Sequence, residues 1–83
     1  MDDYLELLIL AYFREVGEEY SLYELKEIIG VSIKQIEEMV DALLDEKLLM
    51  YQNYLLTLSI KGRINLLILK WKIIVLKVIT ILS

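Results

Sequence analysis

The sequence predicts a mainly α-helical domain with one small β-hairpin, an α+β fold. Three observations carry this. Apolar residues recur at spacings of three and four along three stretches within residues 3–47, the period of one buried helical face. Between residues 48 and 58 the pattern changes to two short apolar and aromatic runs on either side of Asn53. From Ile60 to Ser83 no turn signal interrupts the chain.

The first helix is expected over Asp3–Val16. Asp2 or Asp3 can cap it, and their charge suits the positive end of the helix dipole. Leu5, Leu8, Ile9, Tyr12 and Val16 form the expected core stripe, with Leu7 and Leu10 on the other side. Gly17 is the expected stop, and Glu18 and Glu19 a polar connection. The second helix follows Ser21. Ser21 and Glu24 have capping-box spacing, and Tyr20 and Leu25 are placed for a hydrophobic staple. Leu22, Leu25, Ile28 and Ile29 supply its expected buried face, and Gly30 ends it. Ser32 then caps a third helix, with Gln35 as box partner. Its inner side carries Ile33, Ile36, Val40, Leu43 and Leu44, with Met39 at the edge. Two helices joined by a short turn containing Gly is the helix-turn-helix pattern, although any αα-corner looks similar.

Leu48–Gln52 and Tyr54–Leu58 are expected to pair as a ribbon, because Asn tolerates positive φ and suits a tight tip. Leu and Met are weak strand formers, so a helical continuation is the competing reading. Ser59 caps the last helix. Gly62 in its first turn costs about 1 kcal/mol against Ala, which points to a close packing contact. Along this helix Ile64, Leu67, Trp71, Ile74, Val78 and Ile81 keep a 3-4 spacing, the a and d positions of a coiled-coil seam. Leu66, Leu69, Ile73 and Leu76 make a second stripe, and Lys70, Lys72 and Lys77 separate the two.

Composition narrows the function classes. A chain of 83 residues is one small domain. Its hydrophobic fraction of 58 % is more than a monomer of this size can bury, so a second subunit, another partner or a membrane is expected to cover part of it. There is no Cys, His or Pro. That removes disulfides, thiolate metal sites and the usual neutral-pH acid/base, and no phosphate loop or metal-ligand spacing is present. The expectation is a protein that is not an enzyme, with no catalytic residue, metal or cofactor. The acidic start MDDYLELL lacks the basic region of a secretory signal, so a cytoplasmic location is expected. Residues 1–46 hold all 13 acids and three bases, while residues 47–83 hold no acid and six bases. Such asymmetry suggests a basic end seeking an anion, or two ends that seek each other.

Three pieces of the chain resemble a known family. Ser32-Ile33-Lys34-Gln35-Ile36 through Val40-Asp41-Ala42-Leu43 is similar to a recognition helix. Leu44-Asp45-Glu46-Lys47-Leu48-Leu49-Met50 looks like an exit into a wing. Leu58-Ser59-Ile60-Lys61-Gly62-Arg63 looks like the segment that closes the wing and opens the next helix. Over roughly residues 4–66 the order resembles the winged helix-turn-helix fold of MarR-like and small archaeal winged-helix regulators. Three features depart from it: Leu48 stands where a glycine is usual, the wing has almost no loop, and Glu38, Asp41 and Asp45 occupy positions where Arg, Ser or Thr are common.

The resemblance implies a winged-helix domain over 1–63 and a DNA-binding transcriptional regulator, and the seam spacing points to a C-terminal apolar helix over 64–83 that dimerises. The residues suited to DNA are Ser32, Lys34, Gln35 and Glu38 on the third helix, Gln52, Asn53 and Tyr54 at the wing tip, and Lys61 and Arg63 on the backbone. The partners expected are double-stranded DNA and a second copy. An antiparallel pair, with lysines near Asp3 and Glu6 of the partner's first helix, would relieve the charge. Two other readings of the last helix are that it lies on or crosses a membrane, or that 72–80 forms an edge strand. The rival function is a protein-interaction module whose acidic third helix engages a basic partner, associated with a membrane through its last helix.

Overall fold

The computed structural model describes residues 2–16 and 20–82, so the stop expected at Gly17 and the connection Glu18–Glu19 lie outside the described residues. The element order is α1 (Asp3–Val16), α2 (Leu22–Ile29), α3 (Ile33–Asp45), β1 (Leu49–Gln52), β2 (Leu55–Leu58) and α4 (Ile60–Leu82). The fold is mainly helical with a small antiparallel hairpin. The edge strand considered for residues 72–80 is instead the continuation of α4.

The helix ends obey local chemistry. The Asp2 carboxylate accepts from the Tyr4 N–H at 2.8 Å and caps α1. Ser21 Oγ accepts from the Glu24 N–H at 3.3 Å, and Gly30 closes α2 with φ 79°. Ser32 and Gln35 form a complete capping box on α3: Ser32 Oγ accepts from Gln35 N–H, and Gln35 Oε1 accepts from Ser32 N–H. At the other end Lys47, with φ 65°, takes the left-handed position. The Leu48 N–H then reaches back to the Leu43 carbonyl at 2.9 Å, the bond of a Schellman closure. The left-handed residue at this exit is therefore Lys47, and Leu48 is free to be a core residue.

The core gathers around α1, which touches α2, β2 and α4. This corrects the expected stripe. Ile9 and Tyr12 are buried, but so are Leu10 and Phe13, while Leu5, Leu8 and Val16 are only partly covered. A helix packed on more than one side buries more than one stripe, and α1 has the apolar residues to do so. The Tyr12 hydroxyl accepts from the Ser21 N–H at 2.9 Å and fixes the start of α2 against α1. Tyr20 turns its ring to Phe13, centroids 5.1 Å apart. On α2, which packs against α1 and α3, only Leu25 is fully covered; Ile28, expected inside, is exposed. Leu25, Ile36, Leu43 and Leu49 are among the side chains wholly shut off from water, each contributing roughly 1.5–3 kcal/mol by burial.

The hairpin pairs Leu49 with Leu58 and Gln52 with Leu55, which leaves Asn53 and Tyr54 as a two-residue turn. Both have positive φ, 53° and 67°, the type I′ pattern whose twist matches paired strands. Leu49, Leu56 and Leu58 face the core, and Met50 and Leu55 face solvent. Ser59 joins the hairpin to α4. Its hydroxyl lies 2.6 Å from the Lys47 carbonyl and 2.9 Å from that of Leu48, and it accepts from the Gly62 N–H at 2.9 Å. Gly62 itself sits against the Leu48 carbonyl, as the sequence suggests: a Cβ there would collide with that oxygen and with Leu58 Cδ1.

The first half of α4 buries Gly62, Leu66 and Leu69. Lys72 Nζ meets Asp3 Oδ2 at 2.6 Å, and Asn65 Nδ2 lies 3.4 Å from Glu6 Oε2. So α1 and α4 run in opposite senses, and α1 begins beside Lys72. Partial burial raises the Glu6 carboxyl above its usual range, helped by Glu46 and Asp3. The charge relief expected from a partner's first helix is thus available within one chain. Beyond Ile73, α4 extends past α1, and Ile74, Val75, Leu76, Val78, Ile79, Ile81 and Leu82 are all exposed. Leu76, expected to continue the inner stripe, has nothing to pack on. Among the described residues no helix is long and apolar enough to cross a membrane.

Candidate nucleic-acid interface

The surface assembled from the expected DNA-facing residues has three parts. The first is the start of α3. Ser32, Lys34, Gln35 and Glu38 are exposed there. The capping box holds Ser32 Oγ and Gln35 Oε1, which leaves the Gln35 amide NH₂ as a donor. Gln35 and Glu38, with Met39 and Ala42, line a shallow groove along the helix. The second part is the hairpin tip. Gln52 and Asn53 are exposed, and Tyr54 is 100 % exposed. The third is the first turn of α4, where Lys61 and Arg63 are exposed. Lys61 Nζ donates to the Glu46 carbonyl at 2.8 Å, a cation at the negative end of α3.

The structure groups these residues only in part. Ser32 to Glu38 share one end of α3. Lys61 lies at the other end, roughly 20 Å away at 1.5 Å per residue. Between them the outer side of α3 carries Glu38, Asp41 and Asp45, all exposed. The cations therefore form two separate points with acid between, and not one continuous basic patch. The potential over α3 is negative except at its first turn, where Lys34 and the helix N-terminus coincide.

One feature of the surface was not expected from the sequence. Tyr51 stands exposed beside the tip, adding a second aromatic ring to Tyr54. Partial burial lifts the Tyr20 hydroxyl above its usual range, with further contributions from Tyr51, Asp41 and Glu37. Lys47, at the α3 exit, is exposed in its left-handed position. Alternation in the hairpin gave no signal for Tyr51, since it lies across from buried Leu56 and would be expected on the same inner face. The surface has hydrogen-bonding, stacking and charge-pairing capacity. Among the described residues no group of His, Cys, Asp or Glu could hold a metal ion.

The turn at Asn53-Tyr54 stores strain. A left-handed residue with a Cβ costs roughly 1–2 kcal/mol, and glycine at the second position of this turn avoids it. Tyr54→Gly is therefore expected to stabilise the fold by about 0.5–1 kcal/mol, after the extra chain entropy of glycine is deducted. Urea unfolding checks this; a lower midpoint would show that the tyrosine ring contributes packing the exposed geometry does not reveal.

No protein-family model matches the chain, and no curated protein or solved structure matches it either.

Proposed function

We propose that this chain is a winged-helix protein that binds double-stranded DNA as a homodimer and acts as a cytoplasmic transcriptional regulator. The observation that carries the reading is the arrangement of α3. It follows α2 after the three residues Gly30–Ser32, buries one side through Ile36, Val40 and Leu43, and leaves its first turn and the neighbouring hairpin tip free. This arrangement supports reading α3 as a recognition helix beside a wing. Lys34 and the open N–H groups meet phosphate, the Gln35 amide faces a base edge, and Tyr54 extends the contact to the flanking groove. Lys47, Lys61 and Arg63 supply further backbone charge.

The acid on α3 favours one other reading. Glu38, Asp41 and Asp45 would suit a basic protein partner better than a phosphate backbone, and the same domain would then be a protein-docking module.

A fluorescence-anisotropy titration with random-sequence duplex separates the two. About eight cations per dimer give a log–log salt slope of roughly −7. Lys34→Ala should weaken binding on every sequence and flatten the slope by about 2 per dimer. No detectable duplex binding at low salt would overturn the DNA reading and leave the docking module.

The dimer rests on α4. Ile64, Leu67, Trp71, Ile74, Val78 and Ile81 all face solvent. With their exposed neighbours on this helix they present on the order of 1,000 Å² of apolar surface, beyond the few hundred Å² usual for a monomer and comparable with one side of a stable interface.

A further inference from the structure

We propose that the second copy lies along α4 in parallel and in register, an inference that rests on the dimer reading above. Writing the seam as heptads puts Ile64, Trp71 and Val78 at a, and Leu67, Ile74 and Ile81 at d. The buried Gly62, Leu66 and Leu69, and the half-buried Ile73, then fall at c and f. The chain's own core thus occupies the side of α4 opposite the seam. All six seam residues remain exposed, from 46 % for Ile74 to 81 % for Ile81. A partner can reach every layer without displacing α1.

The flanking positions decide the orientation. Arg63, Lys70 and Lys77 occupy g, and each is exposed without an ion pair among the described residues. Ile68, Val75 and Leu82 occupy e, and each is exposed. One flank is wholly cationic and the other wholly apolar. In an antiparallel pair g meets g and e meets e. Lys70 would face Lys77 of the second copy, and Lys77 its Lys70, with no acid on either helix to intervene. In a parallel pair g meets e of the other copy: Arg63 over Ile68, Lys70 over Val75, Lys77 over Leu82. The alkyl stems then cover apolar side chains while the charged ends stay in water. Like charges are kept apart, and the apolar flank is covered.

The remaining lysine does not oppose this. Lys72 lies at b, outside the interface, and already pairs with Asp3 of its own chain. The antiparallel arrangement had one argument, that lysines of one copy could meet the acids of the other's first helix. That argument falls away once Asp3 is engaged within the chain. Isoleucine at a with leucine at d in the first heptad is also the combination that favours two parallel strands.

The chain contains no cysteine, so a single introduced thiol reports on one position alone. Leu67→Cys and Val78→Cys are made separately; both residues are exposed in the monomer, so the core is untouched. Under mild oxidation each variant by itself should form a disulfide-linked dimer. A mixture of the two should give only the two symmetric products, because residues 67 and 78 are roughly 16 Å apart along a parallel pair. If the mixture instead gives chiefly the 67–78 cross-link, while each variant alone gives none, the pair is antiparallel and this proposal is wrong. Sedimentation equilibrium on the unmodified chain is run alongside. A monomer there, or transfer of the monomer to anionic vesicles, overturns the dimer reading itself and not merely its orientation.

Discussion

Trp71→Glu is expected to convert the proposed dimer to monomer. Trp71 is 65 % exposed in the single chain and stands near the middle of the seam, so the substitution removes little intramolecular packing. In the paired state it would place a carboxylate from each copy between the helices. Leaving a buried charge without a partner costs about 3–5 kcal/mol, which raises the dimer dissociation constant by at least about a hundredfold. Lys70 and Lys72 flank the site, but they project toward water and cannot follow a carboxylate into the seam. Sedimentation equilibrium measures the change, and far-UV circular dichroism checks that the monomer keeps its helices. An undiminished dimer with Glu at 71 would remove α4's outer face as the interface.

Gly62→Ala is expected to be the most destabilising single methyl that can be added to the hairpin and α4. The new Cβ would occupy the space of the Leu48 carbonyl oxygen, with Leu58 Cδ1 at 2.7 Å. The leucine side chain could move. The carbonyl could not, because it also accepts from the Ser59 N–H at 3.1 Å and lies 2.9 Å from the Ser59 hydroxyl. Overpacking against backbone costs about 1–3 kcal/mol and sometimes more, against which alanine recovers about 1 kcal/mol of helix propensity. A net loss of about 1–2 kcal/mol corresponds to a fall of roughly 4–16 °C in Tm for a domain of this size. A thermal melt read by circular dichroism tests it. Gly30→Ala is the useful contrast: no atom lies within 4 Å of its Cβ, so only the cost of φ +79° is felt. If the two variants melt together, the contact at Gly62 is softer than its geometry indicates.

Both predictions were partly legible in the sequence, for different reasons. Gly62 announced itself because glycine in a first helical turn is locally unfavourable and needs a non-local reason. The capping residues Ser21, Ser32 and Ser59, and the turn residue Asn53, were legible because each satisfies backbone groups within a few positions. The burial of Leu10 and Phe13 was not. A period of 3.6 identifies a face, but α1 is covered on more than one side, and only the positions of β2 and α4 reveal that. Ile28 failed for the opposite reason: it lies on the apolar side of a two-turn helix too short to be fully covered. The apolar stripe on α4 was readable as a spacing, whereas the ion pair between Lys72 and Asp3 needed the structure, since nothing in the sequence places the two together. The candidate DNA surface was legible residue by residue. Its division into two cationic points was not, because Lys34 and Lys61 are separated by the length of α3 only once the fold exists.

Three residues with side chains hold left-handed backbone, Lys47, Asn53 and Tyr54. Asparagine tolerates that conformation; the other two do so less readily. The protein therefore sits below the stability its own backbone permits, with at least two positions where one substitution would raise it. That margin is evolutionary slack. A lineage that exchanged Lys47 or Tyr54 for glycine could tolerate destabilising changes elsewhere, such as new polar groups on the outer side of α3, without losing the fold.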